Sequence, residues 1–397
     1  MYENTAHFDH VCVCNAVVGV EMGIFIGMCL FFWGIFGYFP KGLFMRTFIS
    51  SSPEVSVIIP VFNAEKYLPE CLNSLKNQSF HNFEALLIDD CSTDKSQKIC
   101  RSYVSNDPRF QLLIHLENKG PAAARNTALD IARGKTVFFL DADDLLTPNA
   151  LSVLYNRFEM CSADICCGTF EYFNSSEKIN LPFTFFSDEK IWDVSGIHSE
   201  MQKHMNTPNK EFIFAYAWGK LFKRDIIEKY HIRFCESMKT FEDLKFIYQF
   251  AAVSEKMSFV PELIYNYRIH EVSDSLSMSV SPKHERLMDL FLFYKETLNF
   301  SDSIEISHYA ADNCMINLLI IHIVRHCVKL NFSNFKFLYR QVKKMIHQDG
   351  FTDALNNYDS TPPGRSKLMP FFMRYKLVVP LLLLGKYKAW KRYKKGK

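Results

Sequence analysis

The stretch Val137-Phe138-Phe139-Leu140-Asp141-Ala142-Asp143-Asp144 joins a short apolar run to three carboxylates. A continuous run of β-branched and aromatic residues is typical of a strand buried on both faces of a parallel sheet. The carboxylates would then lie at the carboxyl end of the strand, where open α/β sheets bind their ligands. Such close carboxylates repel one another unless a cation intervenes, and their oxygens suit Mg²⁺ or Mn²⁺. A solvated acidic turn before a helix would fit the same residues.

Predicted strands and helices alternate on both sides of this stretch. Strands are predicted at 55–61, 83–88, 110–115 and 163–170, and helices at about 67–78, 95–105, 121–133, 148–160, 224–230 and 242–252. This alternation indicates βαβ units and an α/β fold with a mostly parallel, Rossmann-like sheet and flanking helices. Residues 171–215 are predicted to be irregular, and a helical region is predicted from about residue 284 to 330.

Several other functions are disfavoured by composition and motifs. The net charge of +3 is too small to indicate nucleic-acid binding, and twelve scattered cysteines favour free thiols over a disulfide framework. The turn after the first strand has no glycine, which excludes the dinucleotide fingerprint. Gly134-Lys135-Thr136 precedes a strand and is not a phosphate loop. His322 and His326 are four residues apart but have no third ligand nearby, so packing is favoured over metal binding.

Both ends of the chain suggest membrane contact. Residues 22–39 carry no charge and would span about 27 Å as a helix. Lys41 and Arg46 follow, which predicts an anchor at residues 1–50 with the rest of the chain in the cytoplasm. Alternatively, Met45 is the start of a complete protein without an anchor.

At the other end, the apolar residues 377–384 precede a basic cluster at 386–397, which favours an interfacial membrane anchor over a solvated basic tail.

Four blocks occur in order along the chain: Val55-Ser-Val-Ile-Ile-Pro-Val-Phe-Asn63, Ile88-Asp-Asp-Cys-Ser-Thr-Asp94, Asn118-Lys-Gly-Pro-Ala-Ala-Ala-Arg-Asn126 and Phe139-Leu-Asp-Ala-Asp-Asp144. Together they resemble the GT-A nucleotide-sugar domain of glycosyltransferase family 2. A weaker resemblance continues to about residue 277. The predicted catalytic domain is therefore 51–280, with a nucleotide-sugar half at 54–160 and an acceptor half at 161–280. Residues 281–397 are predicted to be a helical C-terminal region that ends in the apolar and basic membrane-contact tail.

The resemblance implies a donor site at the ends of the first strands. Asp90 would accept a hydrogen bond from the nucleotide base, and Phe62 would stack near that base. Pro60, at the end of the first strand, belongs to the same group of nucleotide-sugar contacts. Gly120 would let the backbone approach the nucleotide, and Arg125 would pair with it.

The resemblance also implies a metal site and a catalytic base. Asp143 would bind a divalent Mn²⁺ or Mg²⁺ that bridges the donor diphosphate, and Asp141 would hold the ribose or a metal-bound water. Arg268 and His270 would close over the diphosphate or the metal. Asp243, in the pair Glu242-Asp243, would be the general base.

These roles predict an inverting glycosyltransferase that moves a sugar from a nucleotide-sugar, UDP-sugar by resemblance, to a hydroxyl of a lipid-linked or cell-surface polysaccharide acceptor. No Q-x-x-R-W sequence occurs, which favours a non-processive enzyme over a polysaccharide synthase. The expected partners are the donor, a glycan or glycolipid acceptor and a membrane, without nucleic acid. Two alternatives stay open: a non-catalytic sugar-nucleotide-binding scaffold and a sugar-phosphate nucleotidyltransferase.

Overall fold

A computed structural model describes residues 52–174, 178–179, 186–208, 213–270, 286–303, 306–328, 330–361 and 365–395. The chain divides into two units, residues 1–51 and Ser52–Lys397. The predicted N-terminal anchor lies outside the described residues, as do residues 271–285 in the middle of the chain. Among the described helices, none is both long enough and apolar enough to cross a bilayer.

The first half of the sheet consists of four parallel strands, in the spatial order β3-β2-β1-β4. They are β1 (Val55–Val61), β2 (Phe83–Asp89), β3 (Phe110–Ile114) and β4 (Thr136–Phe139). The helices that connect them, and the one that follows β4, are α1 (Leu68–Lys76), α2 (Ser96–Asn106), α3 (Pro121–Leu129) and α4 (Ala150–Cys161). The predicted βαβ units of this half are therefore present.

The sheet continues beyond β4 with strands of both directions. These are β5 (Leu145–Leu146), β6 (Ile165–Phe173), β7 (Lys178–Ile179), β8 (Lys190–Asp193), β9 (Lys220–Lys223) and β10 (Lys256–Arg268). The main path reads β3-β2-β1-β4-β9-β6-β10-β5, while β7 pairs with β6 and β8 pairs with β10. Because β9 is antiparallel to both β4 and β6, and β10 is parallel to β6, six of the ten strands share one direction. The predicted mostly parallel α/β sheet is confirmed.

One prediction of local structure is wrong and another is confirmed. Residues 171–215 are not wholly irregular, because they include the end of β6, all of β8 and the helix α5 (Val194–Asn206). The region predicted to be helical at 284–330 contains two helices, α8 (Arg286–Ser303) and α9 (His308–Val328).

Helices cover both faces of the sheet. Side chains alternate along β1, so Val57 and Ile59 pack with α1 and α4, whereas Ile58 faces the opposite core. That opposite core includes α3, α5, α7 (Glu242–Ala252) and the C-terminal helices. The remaining helices are α6 (Arg224–Lys229), α10 (Phe332–Met345), α11 (Phe351–Asn357), α12 (Leu368–Arg374) and α13 (Val378–Lys395). The C-terminal helices thus extend one core of the sheet.

Candidate active site

The predicted donor residues lie at one edge of the sheet. β1 lies between β2 and β4 in parallel register, with Ile58 opposite Leu86 on one side and Phe139 on the other. The carboxyl ends of the three strands therefore meet at the same edge, where Phe62 follows β1, Asp90 follows β2 and Asp141 follows β4.

Asp90 is buried at this edge and holds the loop before α3. Its Oδ1 accepts hydrogen bonds from His115 Nδ1 at 2.7 Å and from the Lys119 amide at 2.9 Å, and its Oδ2 accepts one from the Gly120 amide at 2.7 Å. Gly120 has φ +91°, a backbone conformation that side chains with a Cβ rarely adopt. Asp90 therefore shapes the loop at which the nucleotide is expected to bind.

Phe62 presents an aromatic ring at the edge of the sheet. Its side chain is 43% exposed, although it directly follows a buried strand. The next residue, Asn63, has φ +47°, and its Oδ1 accepts a hydrogen bond from the Thr93 amide at 2.8 Å. Pro60 lies in β1 opposite Ile88 and is half-buried. An exposed ring on a fixed turn is suited to stacking against a base.

Arg125 joins the two halves of the site. Its guanidinium donates to Asp141 Oδ1 at 2.9 Å and to Asp243 Oδ1 at 3.1 Å, and it lies over the ring of Phe234 at 5.2 Å. The Arg125 side chain is only 6% exposed, so its charge is matched by the two carboxylates rather than by water. The resemblance assigned Arg125 to the nucleotide; its contacts in the protein are with acidic side chains.

Burial and charge alter the acidity of this cluster. Burial raises the pKa of Asp141 to about 6, an effect that the Arg125 guanidinium opposes and the Asp143 carboxylate increases. Burial likewise raises the pKa of Glu242 to about 7, and the neighbouring Asp243 charge adds to it. Asp243 lies in the first turn of α7, where the helix dipole favours a negative charge. The pKa values of Asp141 and Glu242 therefore lie close to neutral pH.

Asp143 and the end of β10 form a second group. His270 Nε2 lies 2.5 Å from Asp143 Oδ2, and Arg268 Nε donates to the backbone oxygen of Asp143 at 2.7 Å. Arg268 also donates to Glu70 at 2.6 Å and lies over the ring of Tyr67 at 4.6 Å. The structure thus brings the predicted residues Asp143, Arg268 and His270 together although they are far apart in sequence.

Asp144, the third carboxylate of the stretch 137–144, points inward. Its Oδ2 accepts a hydrogen bond from the Tyr265 hydroxyl at 2.7 Å, and its Oδ1 accepts one from the Arg268 amide at 2.7 Å. Burial raises the pKa of Asp144 well above its usual range, and the Asp143 charge raises it further. Asp144 therefore fixes β10 against the acidic loop and is not part of the rim that faces the donor.

The side chains that could bind a divalent cation are those of Asp143 and His270, with Asp141 nearby. Within the described part of the chain, no three His, Cys, Asp or Glu side chains converge as a metal-binding group. A Mg²⁺ or Mn²⁺ ion that bridges phosphates needs only one or two protein carboxylates, since phosphate oxygens and water complete its shell. The buried Nδ1 of His270 has no hydrogen-bond partner among the described residues. These residues fit such an ion.

A stack of aromatic rings lies beside the carboxylates. The ring of Trp218 lies 4.6 Å from that of Tyr216, 4.5 Å from that of Tyr265 and 5.3 Å from that of Tyr267, and the ring planes of all three pairs are within 25° of parallel. Tyr265 is the residue that binds Asp144, so the stack is connected to the acidic loop. Tyr216 and Tyr267 are half-buried and keep part of their surface open. Such a wall suits the apolar face of a sugar.

Sequence reasoning missed these aromatic residues, and it also missed His115, Glu70 and Tyr265. His115, Glu70 and Tyr265 each act through a partner at least 25 positions away, such as Asp90 for His115 and Asp144 for Tyr265. The alternating aromatic residues of 265–267 are a signal for a strand, which would have indicated β10 but not its partners.

A sheet of this order, with an acidic loop after β4 and an exposed aromatic ring after β1, is typical of the GT-A class of nucleotide-sugar-binding folds. The glycosyl transferase family 2 model matches residues 56–231. The crystal structure of S. aureus TarS 1–349 in complex with UDP-GlcNAc has a TM-score of 0.63 and 21% identity. That match covers 87% of this chain and 92% of the TarS chain, which shows a common fold.

Two curated relatives are also described as glycosyltransferases. Glycosyltransferase GlyA of Streptococcus pneumoniae is 35% identical over 223 residues, which cover 55% of this chain but only 31% of GlyA. Glycosyltransferase GlyG of the same organism is 26% identical over 286 residues, which cover 64% of this chain and 92% of GlyG. Residues 56–231 are therefore a glycosyltransferase family 2 domain, and the predicted family and enzyme class are confirmed.

Proposed function

We propose that this protein transfers a sugar from a UDP-sugar to a hydroxyl of a lipid-linked or cell-surface polysaccharide acceptor, with inversion and one sugar at a time. The observation that carries the proposal is the bridge from Arg125 to Asp141 and Asp243. It brings a candidate base from α7 to the sheet edge that also holds Phe62 and Asp90.

The donor half of the site supports a nucleotide ligand. Phe62 would stack on the base, next to Pro60, and Asp90 would accept a hydrogen bond from the base. Gly120 begins α3, so its open backbone and the helix N-terminus favour an approaching diphosphate. UDP is proposed as the nucleotide because the TarS structure of the same fold contains UDP-GlcNAc. Arg125 would pair with the donor only after exchanging one of its carboxylate partners.

Asp243 is proposed as the general base. Arg125 contacts only its Oδ1, which leaves Oδ2 to receive the proton of the acceptor hydroxyl. A positioned carboxylate contributes about 10²–10⁴-fold to the rate of such a step. One base that acts from the face opposite the leaving diphosphate inverts the anomeric centre, so an α-linked donor would give a β-linked product.

Asp143, His270 and Asp141 are proposed to hold a divalent Mn²⁺ or Mg²⁺ ion. When bound, the ion would offset the negative charge that develops on the departing diphosphate. Arg268 fixes the backbone of Asp143 and so keeps its carboxylate at the rim. Asp144 supports the same loop from below through Tyr265.

The acceptor is proposed to bind along the aromatic wall formed by Tyr216 and Tyr267. A half-open aromatic surface next to a candidate base suits a sugar acceptor. Because the chain lacks the Q-x-x-R-W sequence, a single addition is favoured over processive synthesis. The proposed setting is the cytoplasmic face of a membrane, where a lipid-linked acceptor would be found.

One experiment tests the reaction and its stereochemistry. The protein is incubated with UDP-sugars and Mn²⁺, and NMR records the anomeric configuration of the released or transferred sugar. The expected result is metal-dependent UDP release and a β-linked product from an α-linked donor. Retained configuration would remove Asp243 from its role. Donor binding without any release of UDP would favour a non-catalytic scaffold, and release of pyrophosphate from UTP and a sugar phosphate would favour a nucleotidyltransferase.

A further inference from the structure

The last two helices each have an inner face that belongs to the protein core. Leu381 and Leu382 of α13 are fully buried, and Val378 is nearly so. Gly385 packs closely against α9, since a Cβ at that position would lie 2.9 Å from Cys327 Sγ. Most of the leucine run that suggested membrane contact is therefore buried inside the protein and does not face a membrane.

The outer faces of α12 and α13 carry a concentrated apolar surface. Among the described residues, 21 large apolar side chains are exposed, and eight of them lie between residues 368 and 390. Such clustering is unusual for side chains that merely face water. Six of these eight, which we call the outer stripe, are Phe371, Tyr375, Val379, Leu383, Tyr387 and Trp390.

The spacing of the outer stripe places it on one side of each helix. Val379, Leu383 and Tyr387 are four residues apart along α13, so they lie one above another on a single face. Phe371 and Tyr375 are likewise four residues apart, and their rings are in contact at 4.8 Å. The stripe is thus a continuous ridge along α13 with an aromatic extension at α12.

The charge around the outer stripe has one sign. After Asp359 the sequence contains eleven Lys and Arg residues and no Asp or Glu. Lys367, Lys376 and Lys391 are exposed beside the stripe. Apolar and aromatic side chains flanked only by positive charges are the pattern of a helix that lies in the interface of an anionic bilayer.

We propose that the outer stripe of α12 and α13 docks this protein onto a membrane surface that contains anionic lipids. α13 lies on the bilayer and does not cross it, because its inner face packs on α9. A second copy of this chain is a poorer occupant, since a two-fold contact would set the two basic clusters against each other. The proposal does not depend on the identity of the donor sugar.

The test is sedimentation of the full-length protein with vesicles of phosphatidylcholine, with and without phosphatidylglycerol. We expect binding to the anionic vesicles that is at least about tenfold stronger and that falls as salt is added. The double variant Leu383→Ser/Tyr387→Ser should lose about tenfold or more in affinity, because it removes two apolar groups from the interface. The matched control is Met160→Ser, which changes a residue that is 78% exposed on α4.

A second pair of variants separates charge from apolar contact. Lys367→Gln/Lys391→Gln should weaken binding to anionic vesicles about tenfold, whereas Lys98→Gln/Lys229→Gln, at exposed sites elsewhere, should not. UDP-sugar hydrolysis in solution should be unchanged in all of these variants, so a failure of docking is distinct from a failure of the proposed reaction. Equal binding by wild type and stripe variants would overturn the proposal, and so would a dimer that dissociates on Leu383→Ser/Tyr387→Ser without any vesicle binding.

Discussion

Residues 55–144 and residues 220–270 both supply side chains to the acidic edge of the sheet, but they reach it in different ways. In the first region, Phe62 and Asp90 directly follow parallel strands, so the ends of the strands place both residues at the edge of the sheet. In the second, Asp243 and His270 are fixed by contacts with Arg125 and Asp143, more than a hundred positions earlier. The residues of the first region are placed by the strands that they follow, and those of the second region by side-chain hydrogen bonds to the first.

The strongest effect is expected where the second region meets the substrate. Asp243→Asn should lower kcat by about 10²–10⁴-fold and change the donor KM little, because it removes the proton acceptor but keeps the shape of the side chain. Steady-state kinetics with the donor and acceptor measure both constants. Asp225→Asn, an exposed acid in the first turn of α6, is the matched control. A loss of less than tenfold would place the base elsewhere.

Removing the contact between the two regions should lower the stability of the protein. Arg125→Met leaves Asp141 and Asp243 without their shared partner and should lower the free energy of unfolding by roughly 3 kcal/mol, the lower end of the usual range because both carboxylates are partly exposed. Urea unfolding measures the change, and Arg101→Met on the surface of α2 is the control. In the double variant with Asp243→Asn, the two losses should not add. Strict additivity would show that the bridge does not couple the regions.

The pH dependence of stability tests the charge in the second region. The pKa of Glu242 rises from an ordinary value of 4.5 to about 7 because of burial and the Asp243 charge. Between those values the native protein binds more protons than the unfolded chain, so the free energy of unfolding falls as pH rises. Glu242→Gln should reduce this fall and raise the free energy of unfolding near pH 8 by about 1–2 kcal/mol.

Thermal and urea unfolding from about pH 4 to pH 8 would measure the effect of Glu242→Gln. Glu262→Gln, on the exposed side of β10, should leave the slope unchanged. An identical slope in wild type and Glu242→Gln would assign the pH dependence to Asp141, whose pKa is also raised by burial, to about 6.

The smallest effect is expected in the first region. Phe62→Ala should raise the dissociation constant for UDP about tenfold, because it removes one stacking partner from the base. Isothermal titration calorimetry gives the constant, and Met160→Ala is a control with an exposed side chain far along the sequence. Phe62 is 43% exposed, so stability should hardly change. Unchanged affinity for UDP would mean that the base does not bind on this ring.

The contrast between the regions also explains what the sequence could predict. β1, β2 and β4 are buried on both faces and appear as continuous apolar runs, so their ends, and with them Phe62, Asp90 and Asp141, could be located. β9 has four residues and begins and ends with lysine, and β10 is interrupted by irregular pairing, so neither has a clear period. Their neighbours in the sheet are decided by tertiary contacts.

Asp243, Arg268 and His270 could be predicted only through the family resemblance. Arg125 was assigned to the nucleotide, and no local pattern reveals that it binds two carboxylates. Asp144 appeared equivalent to its neighbours in the acidic stretch, and only the position of Tyr265 shows that it points inward. Long-range hydrogen bonds are the part of the site that spacing along the chain does not encode.

Each carboxylate of the acidic loop already has a partner within the protein: Arg125 for Asp141, His270 for Asp143, and Tyr265 for Asp144. A ligand that arrives at this loop therefore exchanges partners instead of neutralising isolated charges. The measured affinity is then a difference between two sets of contacts, and weakening an internal pair should tighten ligand binding. The loop is also assembled before the ligand arrives, which lowers the ordering entropy lost on binding.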